Sequence, residues 1–178
     1  MVNDGPVFRA WSQTGNIGNS RLEAEWRIYA GEAFVELWVR VLWLEKHKLL
    51  KLVWSHDGAP IRTDGIAGGQ LERPNDGREL PLRDWTKNGK SAIVCPNVFA
   101  LDATPERTRL TLLRSPLVAH HDPHAGRSPR DRVADQGAHE FTFRFFAGEI
   151  STKVLDIHAQ NVQSPPLLAD LTRGMEAR

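Results

Sequence analysis

At 178 residues, 40% of them hydrophobic and 25% charged, the chain is long enough for one sizeable domain that buries roughly 70% of its unfolded surface without disulfides or metal. Its 23 Lys and Arg are interspersed with 22 Asp and Glu for a formal charge of +1, which excludes the basic arms and patches of a nucleic-acid or acidic-membrane binder. A lone cysteine, Cys95, excludes an intramolecular disulfide, no apolar run is long enough to span a bilayer, and residues 1–10 lack a secretory leader pattern, so the expected setting is reducing and cytoplasmic.

The first clear elements lie between Arg21 and Leu52. Trp26 and Ile28, then Val35, Leu37, Val39 and Val41, fall on alternate positions with Glu36 and Arg40 between them, and Ala30-Gly31-Glu32 breaks the two runs at hairpin spacing. This predicts a long two-stranded ribbon. A third strand is expected over Leu50, Leu52 and Trp54, ending at Asp57-Gly58-Ala59-Pro60. Residues 73–90 hold two prolines, two glycines and eight charged side chains, the composition of an extended surface loop. Strands resume at Ser91–Val94, Val98–Leu101 and Arg109–Leu113. A second excursion covers 117–136, with three histidines and several Arg and Asp residues. The cleanest alternation is His139, Phe141, Phe143, Phe145 against Glu140, Thr142, Arg144, a half-buried strand with one aromatic face. One short late helix is expected after Ser151 or Thr152, with Val154, Leu155, Ile157 and His158 on one face, ending before Ser164-Pro165-Pro166. Six or more strands and one helix make a single all-β domain over 1–178, a twisted sandwich.

No phosphate-binding glycine loop, nucleophile elbow or zinc-hydrolase signature occurs. His120, His121 and His124 with Asp122 resemble a metal site, but neighbouring side chains diverge and no second ligand group supports them, so a hydrated loop is the simpler reading. His56-Asp57 could form an acid–base pair, although a turn before Gly58 accounts for Asp57. Glu72, Arg73 and Asp76 with Trp85 form the set best suited to a sugar: hydrogen-bonding groups for vicinal hydroxyls and a ring to stack on. A structural ion pair is the competing reading.

Four stretches in order carry a resemblance. They are Asp4-Gly5-Pro6-Val7-Phe8-Arg9-Ala10 with Asn19-Ser20 and Trp43 to Lys51; Gly69-Gln70-Leu71-Glu72-Arg73-Pro74 with Asn75-Asp76-Gly77, Pro81 and Trp85; Leu110 to Pro116; and Asp135-Gln136-Gly137-Ala138-His139-Glu140-Phe141. Together they resemble the large β-sandwich region C-terminal to the catalytic barrel of the α-mannosidases of glycoside hydrolase family 38. The resemblance implies a galactose-mutarotase-like sandwich that accompanies a zinc-dependent retaining barrel, shapes its substrate cleft and is non-catalytic by itself. Zinc would belong to the barrel, so no cofactor is expected in this chain. The implied partners are that barrel and α-mannosides, with a homo-oligomer possible and neither nucleic acid nor membrane involved. Glu72, Arg73, Asp76 and Trp85 become the substrate-facing set. The chain departs from the family pattern at Phe99-Ala100, in place of a Tyr-Gly pair, and in the long 117–134 segment. Two further functions suit such a sandwich: a stand-alone carbohydrate-binding module and a mutarotase-like enzyme using His and Glu.

Overall fold

The computed structural model describes residues 3–118 and 132–164. In chain order the strands are β1 (Asn3–Asp4), β2 (Phe8–Ile17), β3 (Ser20–Tyr29), β4 (Phe34–Trp43), β5 (Leu49–Ser55), β6 (Ile61–Ile66), β7 (Gly69–Pro74), β8 (Leu80–Pro81), β9 (Trp85–Asn88), β10 (Ser91–Val94), β11 (Ala100–Thr104), β12 (Arg107–Arg114) and β13 (Gly137–Ala147), followed by helix α1 (Thr152–Gln163). They form a nine-stranded sheet, β1-β2-β3-β4-β13-β10-β9-β6-β7, and a four-stranded sheet, β5-β12-β11-β8, with every pairing antiparallel. The chain is therefore the all-β, two-sheet sandwich with one late helix that its sequence predicts.

Strand periodicity explains the core. Trp26, Leu37 and Phe143 are direct cross-strand partners, as are Ala24, Val39 and Phe141, so each row shares one face of the large sheet. That face packs on Leu50, Leu101, Leu110 and Leu113 of the small sheet. Trp54 of β5 stacks on Phe145 with ring centroids 4.5 Å apart. Full burial of each such side chain contributes about 1.5–3 kcal/mol. The β2–β3 turn uses Gly18 at φ 61°, where a side chain would be strained, and the next amide, Asn19, donates to Glu45.

Two expectations change. Residues 73–90 are not one uninterrupted loop, because they carry the end of β7, β8 and all of β9. The polar residues that suggested a loop include groups that bond inward. The helix also buries a different face: Leu155 and Ala159 are covered while Val154 and Ile157 stay exposed. α1 lies on the outer face of the large sheet, against Phe34, Trp85, Ala92, Val94 and Phe146, and the contact stripe runs through Leu155 and its i+4 neighbour. Its first turn is capped by the Ser151 side chain, which accepts from the Val154 amide. The 117–136 segment falls largely outside the described residues; at its base Leu117 bridges Val133.

His158 fixes the helix at a titratable point. Its ring lies 5.1 Å from Phe34 and 5.0 Å from Phe146, and its Nδ1 accepts from the Arg144 guanidinium at 3.1 Å. A guanidinium only donates, so the ring is neutral with its proton on Nε2. Burial, and then the Arg144 charge, hold the His158 pKa below its ordinary value of 6.5, with Glu32 opposing. The unfolded chain therefore takes up this proton more readily than the folded one. The stability involved is complete above pH 6.5 and is lost as pH falls below it. Urea midpoints should drop on acidification from pH 7.5 to pH 5.5, and His158→Gln should flatten that drop. A residual slope is expected from His56, which burial shifts in the same direction.

Candidate functional site

The β6–β7–β9 end of the large sheet carries the residues of greatest chemical interest. On β6, Arg62 and Asp64 point between the two sheets, and both are fully buried. Arg62 Nε donates to both Asp64 oxygens at 3.1 and 3.0 Å, and its Nη1 donates to Pro74 O and Asn75 Oδ1. Asp64 also accepts from Thr86 Oγ1 at 2.7 Å and Arg73 Nη1 at 3.2 Å. Asn75 continues the network to Ala59 O and Asn88, which in turn reaches His56 and the Ala59 amide. This chain of bonds holds the β5–β6 turn, the residues after β7 and the start of the β9–β10 turn in one arrangement.

Against this frame the four predicted sugar-facing residues separate. Register pairs Arg73 with Arg62 and Glu72 with Thr63, so adjacency on a strand puts Glu72 and Arg73 on opposite faces of the sheet. Glu72 is exposed. Arg73 turns inward to Asp64 and the Pro81 carbonyl. Asp76 sits in the turn after β7, bound by Arg78 through its Nε at 2.7 Å and its amide at 3.1 Å. The Arg78 side chain holds the Asp76 carboxyl below the usual range. Trp85 is 1% exposed, covered by α1, and its Nε1 donates to Asp156 at 2.6 Å. It has no ring face at the surface of this chain. The four residues do not converge on one point; the Arg62–Asp64 pair is the centre that sequence reasoning missed.

The general acid of a glycosidase has a raised pKa; among the described residues the carboxyls with a displaced pKa are displaced downward: Glu25, Glu45, Asp76, Glu79, Asp102 and Glu106. For Glu79 the leading cause is Lys51. At Asp102 burial opposes the shift, but Lys51 and Arg109, both at 2.5 Å, outweigh it. The Cys95 thiol is raised, first by burial and then by Asp64 and Asp84, so it is an inert core group. His56 contacts Thr108 Oγ1 at 2.9 Å through Nε2 and is a packed turn residue. Among the described residues no group of three or more His, Cys, Asp or Glu side chains could hold a metal, and His120, His121, Asp122 and His124 lie outside them. No helix among the described residues is long and apolar enough to cross a membrane.

Comparison with known proteins gives a consistent picture. The family described as glycosyl hydrolases family 38 C-terminal domain matches residues 1–123. Two similar solved structures come from Enterococcus faecalis: a protein in glycosyl hydrolase family 38, at TM-score 0.67 and 12% identity, and an α-mannosidase from strain V583, at TM-score 0.65 and 10% identity. Each alignment covers 82% of this chain and 18% of the other, so this chain spans less than a fifth of those proteins. None of the curated proteins matches it in sequence.

Proposed function

The chain belongs to the C-terminal domain family of the family 38 glycosyl hydrolases, and from that membership we propose that it serves as the ancillary β-sandwich of an α-mannosidase, bracing the catalytic barrel and shaping its substrate cleft. The observation that carries this reading is the family match over residues 1–123 on a sandwich whose buried charges, among the described residues, are engaged in structure: Asp64 by Arg62 and Arg73, Asp102 by Lys51 and Arg109, Glu36 by Arg144, Glu45 by Lys48. A domain built this way contributes shape and a docking surface, while the chemistry belongs to the barrel.

Within the reading, the turn after β7 is the cleft-facing element. Asp76 and the exposed Glu72 meet substrate hydroxyls. Arg73 acts as a positioning residue, since its bonds to Asp64 and Pro81 O fix the backbone on either side of that turn. Trp85 anchors the same segment from behind, through Asp156. The purified chain is expected to show no hydrolysis of an aryl α-mannoside, with or without added zinc, because its described residues offer neither a metal ligand set nor a carboxyl whose pKa is displaced upward. Zinc-dependent turnover that co-purifies with the chain through successive columns would refute the proposal.

A further inference from the structure

The two sheets of the sandwich are unequal, nine strands against four, and the mismatch leaves a specific apolar surface. Cross-strand rows on the inner face of the large sheet mark where cover stops. In the row Trp11, Trp26, Leu37, Phe143, Phe143 is 0% exposed, Leu37 2% and Trp11 38%. In the row containing Ile28, Val35 and Phe145, Phe145 is buried and Ile28 is 47% exposed. The small sheet ends at β5, whose Trp54 lies on Phe145 of β13; Trp26 of β3 reaches that same ring at 5.7 Å. Strands β2 and β3 therefore extend beyond β5 as a ledge floored by Trp11, Trp26 and Ile28. Above the ledge runs the open edge of β5, a seven-residue strand, Leu49 to Ser55, without proline or glycine. Among the described residues, no backbone group of β5 bonds to anything beyond β12. Val53 and Leu49, each at least half exposed, lie along it.

An unprotected edge strand beside an apolar floor is a template for strand addition. From this geometry we infer that the ledge seats one further β-strand, an extended segment contributed by the remainder of a family 38 polypeptide, antiparallel or parallel to β5. The inference rests on the proposed reading for its source of partner and on the sheet mismatch for its place. A second copy of the chain does not fit the same edge. Pairing β5 with its own symmetry mate would place the two β5 strands about 4.8 Å apart, while each large sheet extends at least two further strands, β3 and β2, about 10 Å or more under that seam, so the sheets would collide. The occupant is thus a lone strand. It carries apolar side chains at alternate positions toward Trp11, Trp26 and Ile28, polar ones toward solvent, and no proline at the positions whose amides meet β5.

Amide exchange by NMR tests this, comparing the isotope-labelled chain alone with the chain mixed with the remaining portion of the family 38 polypeptide. The expected result is that outward-facing β5 amides exchange freely in the isolated chain, slow by at least 100-fold in the mixture, and that the Trp11 indole signal shifts with them. Trp11→Asp with Ile28→Asp, both at exposed positions, should leave the chain folded and weaken association at least tenfold. Association without slowing at β5 would overturn this inference and leave the ancillary-domain reading intact, whereas no association at all would count against both. A concentration-dependent dimer of the chain alone with β5 protected would also overturn it, by showing that a second copy fits.

Discussion

Asp64→Ala is expected to cost about 3–5 kcal/mol, the usual penalty for stripping one partner from a buried ion pair. In the folded chain this carboxylate faces Arg62 at 3.0 Å and Arg73 at 3.2 Å; without it, two guanidinium groups meet in the interior with no anion between them. A typical domain has only about 5–15 kcal/mol of total stability, so the urea midpoint should fall steeply. Arg73→Ala should cost less, about 1.5–3 kcal/mol, because it removes the Arg73 bonds to Asp64 and to the Pro81 carbonyl but leaves the Arg62–Asp64 pair intact. Replacing Arg62 and Asp64 together by Met and Leu should recover much of the loss, since apolar side chains of similar size do not leave an unpaired charge. If Asp64→Ala melts within about 1 kcal/mol of the parent chain, the network is not what holds this end of the sandwich.

Phe143→Ala should cost a comparable amount, about 3–5 kcal/mol, for a different reason. The ring is fully buried at the centre of the inter-sheet core, flanked on its own strand by Phe141 and Phe145 with centroids 6.2 Å away on each side. Truncation leaves a cavity that neither neighbour can fill, because both rings are fixed by their own packing; Trp54 stacks on Phe145. Phe143→Leu should recover more than half of the loss. The comparison separates cavity cost from any loss of strand propensity, and a cost below about 1 kcal/mol for the alanine variant would place this face outside the core.

These two sites differ in how far the sequence alone reveals them. The Phe141-Phe143-Phe145 face is legible because its polar alternates, Glu140, Thr142 and Arg144, point away from the core, so the period of two separates the faces cleanly. Val35 to Val41 reads the same way. Arg62 and Asp64 invert that logic: they alternate with Ile61 and Thr63 and read as a solvent face, yet Ile61 is exposed and the ion pair is buried. Period identifies a strand but cannot say which face is inside when the buried face is charged. Trp85 fails for a related reason. Its neighbours Arg83, Asp84 and Lys87 suggest surface, and the element that covers it, α1, lies some 70 residues later in the chain. Grouping Glu72 with Arg73 treats them as neighbours on one loop; once β7, Gly69–Pro74, is recognised, adjacent residues must point to opposite faces. What the residue pattern did carry is the resemblance itself, because it rests on four stretches in order along the chain and not on which face is buried.

The central claim, that this sandwich acts by completing a family 38 catalytic barrel, is tested most directly by measuring aryl α-mannoside turnover of the barrel portion with and without this chain at matched zinc. The account predicts little activity from the barrel alone, none from the chain alone, and a saturable rise of tenfold or more as the chain is titrated in, with the rise lost when the chain is denatured before mixing. A barrel that is fully active alone and unchanged by the chain at any concentration would contradict it.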